Sequence, residues 1–351
     1  MKKLCLLLLT TALSLPAFAG FVEGEQAFKD QHYSQAFSEF LPLANAGDFR
    51  SQYYVGYLYV NGYGVTQNKK EGLRYLQMSI DQNYDMAQAL MAYLYSEGQL
   101  VPKDKKKAIE LYQQAARQNN VSANLNLGVM YYMGDSVARD YKTALDYFQK
   151  VPLDQQPIVS RYLGDIYLNN ATLRDYNKAL FYYEVSARQN DLSSYYNLGE
   201  IYKKGLGVGQ DMNKAINYYK YAATQNYSPA QYMLGIIHAN GEGVTRDIYK
   251  AFAWFQLAEE QGLTVAGEAK EKLEKNMSLS DMDMARRQVV LIQQNEMGKV
   301  EPPFQDMVAT KAMENATGST ALTAAGATAG AVAGKKVATK KRVLRRRRGG
   351  R

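Results

Sequence analysis

The sequence has one cysteine, Cys5, among 351 residues. It falls inside an amino-terminal segment that reads as an export signal. The mature chain is therefore expected to have no disulfide, no thiol nucleophile and no thiolate metal site. Its place within that segment, not just after a cleavage point, also argues against a lipid-anchored amino terminus. Histidine is nearly as scarce. His32 and His238 stand alone and far apart, which argues against a paired-histidine metal site. There is no Gly-Lys-Ser/Thr phosphate loop, no His-Glu-x-x-His and no Gly-x-Ser-x-Gly. No catalytic constellation is visible, and neither a metal nor a cofactor is expected. The single tryptophan, Trp254, occupies an apolar position at helical spacing and reads as core.

Long apolar runs are missing too. The longest, Leu4 to Leu15, is too short to span a bilayer comfortably. With Lys2 and Lys3 before it and Ala17-Phe18-Ala19 after it, residues 1–19 read as a bacterial signal peptide, and the mature chain starts at Gly20. Export to the periplasm is the expectation, with association to the outer membrane or secretion beyond it.

Acidic residues are missing from one place in particular. Residues 335–351 carry ten of the 42 Lys and Arg and no acid, leaving 32 basic against 34 acidic residues elsewhere. The formal charge of +8 therefore belongs to the tail. Lys335, Lys336, Lys340, Lys341, Arg342, Arg345, Arg346, Arg347 and Arg348 form a cationic arm suited to an anionic membrane surface. Phosphate contacts would suit it as well, but the export signal makes nucleic acid a poor native partner.

What the chain has is a period. Gly56, Ala92, Gly128, Gly164, Gly199 and Gly235 step by 36, 36, 36, 35 and 36 residues. Around them recur the phrases Gly64-Val65-Thr66-Gln67-Asn68, Val137-Ala138-Arg139-Asp140, Leu173-Arg174-Asp175, Gly207-Val208-Gly209-Gln210-Asp211 and Gly243-Val244-Thr245-Arg246-Asp247. Such a period marks stacked helix pairs. In residues 194–229, Leu198, Gly199, Ile201 and Tyr202 predict a first helix from about Ser194 to Lys204. Glycines break it, and Asp211 takes the N-cap position of a second helix opening at Lys214-Ala215. Asn68, Asp104, Asp140, Asp175 and Asp247 hold the same position, so these acids read as caps and not as a carboxylate site. Gly205-Leu206-Gly207-Val208-Gly209 resembles a dinucleotide loop, but a helix precedes it and the turn recurs. It is a repeat turn. A glycine inside each first helix costs about 1 kcal/mol relative to Ala. Close approach of the paired helix is the expected reason, with Ala115-Ala116 and Ala222-Ala223 as the matching contacts.

The pattern Ala-x-x-x-Leu-Gly-x-x-Tyr-x-x-Gly-x-Gly-Val-x-x-Asp-x-x-Lys-Ala resembles the Sel-like repeat family. The clearest copy carries Ala230, Leu234, Gly235, Gly241, Gly243, Val244, Asp247, Lys250, Ala251, Trp254, Ala258 and Gly262. The resemblance covers about 51–263. It implies an all-α fold: a right-handed α-solenoid of stacked antiparallel helix pairs, related to tetratricopeptide repeats. It also implies a scaffold or adaptor rather than an enzyme. Exported bacterial members are linked to envelope assembly or host-cell contact.

The expected organisation is a signal peptide at 1–19, a degenerate helical repeat at 20–50, six repeats at 51–263 and capping helices at 264–300. A disordered Gly/Ala-rich and basic tail follows at 301–351. Pro152 and Pro157, with the shortened fourth repeat, predict altered stacking near 150–175. Ala269 to Lys275 and Asp281 to Gln294 read as the capping helices, with Ser280 as N-cap. Gly326, Gly330 and Gly334 lie four apart, a spacing that suits membrane helices, in a stretch short for a span.

Of 29 tyrosines, Tyr59, Tyr95, Tyr131, Tyr167 and Tyr202 read as packing residues. By analogy with related solenoids, Tyr53, Tyr57, Tyr93, Tyr132, Tyr196 and Tyr232 fall on the face lining the concave groove. Arg161, Asp165, Glu200, Lys203 and Lys204 would sit in its middle. Tyrosine gives large contact area with a polar tip and is enriched in interfaces. The expected partner is a protein or peptide of the envelope or host. The other reading open at this stage is a module that binds cell-wall glycan or regulates a wall enzyme.

Overall fold

A computed structural model describes residues 14–303, apart from Gln99 and Gln155. The basic arm, the Gly326-x-x-x-Gly330 spacing and most of the segment expected to be an export signal lie outside the described residues. All regular structure among the described residues is helical: sixteen helices. They are α1 Ser14–Lys29, α2 Tyr33–Asn45, α3 Phe49–Asn61, α4 Lys69–Asp81, α5 Asp85–Glu97, α6 Lys105–Arg117, α7 Val121–Met133 and α8 Tyr141–Phe148. Then follow α9 Pro157–Asn169, α10 Tyr176–Arg188, α11 Leu192–Lys204, α12 Met212–Thr224, α13 Ser228–Asn240, α14 Ile248–Glu260, α15 Thr264–Glu274 and α16 Leu279–Asn295.

Most repeat helices have 13 residues. Isolated helices of that length are marginal in water, so each depends on its neighbours. Successive helices pack as pairs, α3 with α4, α5 with α6, α11 with α12 and α13 with α14, and within each unit each pair packs on the next, the arrangement of an α-solenoid. The chain divides into two compact units at Lys150/Val151. Unit 1 holds α1 to α8 and unit 2 holds α9 to α16.

Local chemistry accounts for the boundaries. All six predicted caps accept backbone N–H groups: Asn68 from Glu71, Asp104 from Lys107, Asp140 from Lys142 and Thr143, Asp175 from Lys178, Asp211 from Lys214, and Asp247 from Tyr249 and Lys250. First helices end on a left-handed residue such as Gly205, φ 67°, where a Cβ would be unfavourable. The fourth repeat has no such glycine; Asn170 there is extended at φ −81° and its side chain folds the turn by accepting from Thr172 and Leu173. Helix α8 is cut to eight residues ahead of Pro152, whose ring and missing N–H stop it from continuing.

Each in-helix small residue meets a large side chain, not the small pairs expected from sequence. A Cβ on Gly199 would lie 2.5 Å from the Tyr219 ring, one on Gly235 2.4 Å from Phe255, and one on Gly128 2.5 Å from Phe148. Gly164 faces Tyr183 and Gly56 faces Leu76 in the same way. The side chain some twenty residues on is laid flat across the first helix, and only a missing side chain leaves room for it. Ala115, Ala222 and Ala223 are buried elsewhere in the pair. Trp254 is core, 2% exposed.

Residues 20–45 do form a leading helix pair, α1 and α2, and α1 runs through the predicted Ala19–Gly20 junction. At the other end α15 and α16 pack on α14. The N-cap of α16 is Ser278, in a reciprocal capping box with Asp281, and not Ser280, which lies inside the helix. Helix α16 is tied down at both ends. Tyr249 donates to Asp281 at 2.7 Å, Lys220 pairs with Glu296 at 3.0 Å, and the Gly298 N–H donates to the Thr224 carbonyl at 2.9 Å.

Candidate functional site

The face predicted to bind a partner is carried by the first helices, α3, α5 and α7 in unit 1 and α9, α11 and α13 in unit 2. The residue after the small in-helix position is Tyr57, Tyr93 and Val129 in unit 1. In unit 2 it is Asp165, Glu200 and Ile236.

In unit 1 this face is uncharged at that position, and aromatic at Tyr57 and Tyr93. Tyr93 is open, 43% exposed. Tyr57 is half-buried against Phe28 at 5.6 Å and Tyr63 at 6.1 Å, and burial, with Tyr63 and Tyr33 beside it, pushes its phenol up to about 12. Tyr132 is partly buried, edge-on to Tyr141 at 5.5 Å. Tyr53 departs from expectation. It is 6% exposed, its ring edged by Tyr54 at 5.2 Å and by Tyr84 at 5.7 Å. Tyr84, contributed by the next turn, covers it, so Tyr53 packs and does not offer a surface.

In unit 2 the same rows are charged and internally paired. Arg161 reaches Asp165 at 3.3 Å and Asp191 at 3.6 Å, and lies over the Tyr162 ring. Asp165 accepts from the Tyr183 hydroxyl at 2.7 Å. Glu200 accepts from the Tyr219 hydroxyl at 2.6 Å and pairs with Lys204 at 2.5 Å. Burial alone would raise the Glu200 pKa, but the bonds from Lys204 and Tyr219 outweigh it and hold the carboxyl below its usual range. Lys203 crosses to Glu242 of the next turn at 2.9 Å. Tyr196 sits against Tyr219 at 5.6 Å, its phenol pushed up to about 12 by burial and the neighbouring Glu200. Tyr232 leans on Phe255 at 5.5 Å.

The charged residues expected in the middle of the groove are paired, mostly within the fold. The acids serve the tyrosines that lie on the glycines. Sequence reading missed a cleft of about 410 Å³ between the ends of α9 and α11, where Asn169, Arg174, Tyr176, Asn197 and Leu206 join Tyr196, Glu200 and Lys204. The predicted packing tyrosines do pack. Tyr59 stacks on Tyr75, Tyr131 on Tyr147, Tyr167 on Tyr182 and Tyr202 on Tyr218.

The model of the Sel1 repeat matches residues 50–84, 85–120, 121–150, 161–191, 192–227 and 228–263, more than half of the sequence. The chain belongs to the Sel1 repeat family. Proteins of this family are generally scaffolds that mediate protein–protein interactions. A Sel1 repeat protein from Oxalobacter formigenes is 28% identical, with 68% of this chain and 99% of that one aligned at a TM-score of 0.55. A protective antigen of uropathogenic Escherichia coli strains, described as displaying an SLR fold, is 22% identical. It covers 88% of this chain and 73% of its own at a TM-score of 0.53, a likeness of fold. Among proteins with curated descriptions, none matches.

Proposed function

We propose that this Sel1 repeat chain is an exported, non-catalytic adaptor of the bacterial envelope or host interface. Its unit 1 face takes an apolar segment of a protein partner, and the arm at 335–351 touches an anionic surface. The observation that carries the reading is the exposed Tyr93, 43% open at a helix position where unit 2 needs a paired acid. An exposed aromatic with no fold duty fits an interface better than a core. Asp165 and Glu200 are committed as acceptors for buried tyrosines and Asp175, Asp191, Asp211 and Asp247 as helix caps, which leaves these acids poorly placed for general acid–base work.

Aromatic faces stack on sugars as well as on peptides, so glycan binding is the competing reading. The full chain is immobilised and offered envelope extract in one arm and purified cell-wall glycan in the other. Capture of a defined protein, weakened by Tyr93→Ala with the thermal melt unchanged, is the expected result. Retention by glycan alone would sink the adaptor reading.

A further inference from the structure

We propose that the turn edge of unit 1 is a second, folded docking surface for anionic lipid, separate from the arm at 335–351. The edge is made by the turns that join first to second helices and by the N-termini of α4, α6 and α8. Contacts join parts of this edge. Ser34 donates to the Gly64 carbonyl at 3.0 Å, Tyr33 stacks on Tyr63 at 5.0 Å, and Lys105 pairs with Asp135 of the next turn.

Cations crowd this edge. Lys69 and Lys70 stand exposed on the first turn, and Lys103 and Lys106 on the second. Arg139 and Lys142 stand exposed on the third. Of the acids nearby, Glu97 is exposed beside the second turn, and the others are engaged. Glu71 pairs with Arg74 at 2.8 Å, Asp135 is held by Lys105, and Asp104 and Asp140 cap helices. The matching edge of unit 2 is built differently. There Lys178, Lys214 and Lys250 each lie within 4.0 Å of their own capping aspartate, Asp175, Asp211 and Asp247. Unit 1 has no lysine three residues after its cap at two of the three sites, and the third, Lys107, lies 4.5 Å over the Tyr95 ring.

Three helix N-termini add their positive dipole ends to the same edge. Between the cations the turns expose Tyr63, 36%, and Met133, 49%. Cations interleaved with a few apolar side chains suit the headgroup region of an anionic bilayer, where charge attracts and apolar tips insert shallowly. A purely acidic protein patch would gain nothing from Tyr63 and Met133.

The test uses the full chain with the tail cations at 335–351 replaced by Gln, which removes the arm's contribution. Flotation is run with vesicles of equal parts phosphatidylglycerol and phosphatidylcholine, and with phosphatidylcholine alone, at low salt. The tail-neutral chain should float with the anionic vesicles only. Adding Lys70→Glu, Lys106→Glu and Lys142→Glu should weaken that binding by about tenfold or more. Each of these lysines is the second residue of its helix, where Glu is favoured by the dipole, so the variant should melt no lower than its parent. Failure of the tail-neutral chain to float overturns the proposal. So does binding that survives the three reversals, or binding to poly-glutamate in place of the vesicles.

Discussion

Unit 1 and unit 2 share one repeat but use its inner position in opposite ways. In unit 2 the residue after the glycine is an acid wherever a tyrosine is laid on that glycine: Asp165 takes the Tyr183 hydroxyl and Glu200 the Tyr219 hydroxyl. Where unit 1 lays Leu76 on Gly56 and Phe148 on Gly128, no hydroxyl needs an acceptor, and Tyr57 and Val129 stand in the acid's place. Ala92 is the instructive exception. Tyr112 stands twenty residues on, but the residue after Ala92 is Tyr93, which offers no carboxylate. The Ser96 hydroxyl donates to the Tyr93 carbonyl at 2.8 Å, and the buried Tyr112 hydroxyl has that serine beside it in place of a carboxylate. At this inner position unit 1 therefore carries uncharged residues, and at Tyr93 it does so even where a tyrosine stands twenty residues on, which leaves an aromatic 43% exposed instead of a paired acid.

The largest effect should come from filling the glycine contact. Gly199→Ala pushes a Cβ to 2.5 Å from a ring that its hydroxyl tethers to Glu200, so the ring cannot slide away. A cost of about 3 kcal/mol is expected, at the upper end for overpacking. Gly128→Ala meets Phe148 equally closely, but that ring has no hydroxyl to hold it in place, and it should cost distinctly less. Urea titrations of the two variants followed by circular dichroism make the comparison. Equal losses would mean that the tyrosine–acid bond does not fix the contact.

A smaller difference is expected from the hydroxyls themselves. Tyr219→Phe removes a bond to a charged acceptor and should cost about 1.5–3 kcal/mol. Tyr112→Phe removes a hydroxyl that has no charged acceptor, only the Ser96 hydroxyl beside it, and should cost distinctly less. If the two variants melt alike, the division between the units drawn from these bonds is wrong.

The smallest effect concerns pH. His238 in unit 2 is half-buried, with a buried Nδ1 that has no partner, and burial, with Lys250 beside it, lowers its pKa. A histidine whose folded pKa lies below its unfolded value of about 6.5 favours folding above that value, and the contribution is lost as pH falls below it. The chain should therefore lose some stability between neutral and mildly acidic pH. Partial exposure keeps the effect small. His238→Gln should flatten that part of the profile in thermal melts. An unchanged slope would assign the pH dependence to other groups.

The parts of this fold legible in sequence were those settled within a few residues. Six caps, the period, the truncation of α8 at Pro152 and the core role of Trp254 all follow from local chemistry. Three features depended on packing between distant segments and were misread. The partners of the in-helix glycines are set by the crossing of two helices, so Ala222-Ala223 was expected where Tyr219 stands. Tyr53 is buried because Tyr84 of the following turn covers it. The charged row of unit 2 reads as an open recognition surface until Tyr183 and Tyr219 are seen donating into it. Ser278 and Ser280 are both capping residues by type, and only the reciprocal bonds with Asp281 decide between them.

The central claim, that the unit 1 face is the binding surface, is most directly tested by placing a photo-crosslinking residue at Tyr93. A second such residue goes at the exposed Gln114, in the second helix of the same pair. Illumination in cells should give a discrete protein adduct from position 93 and none from position 114. Adducts from both positions alike, or from neither, would contradict the account.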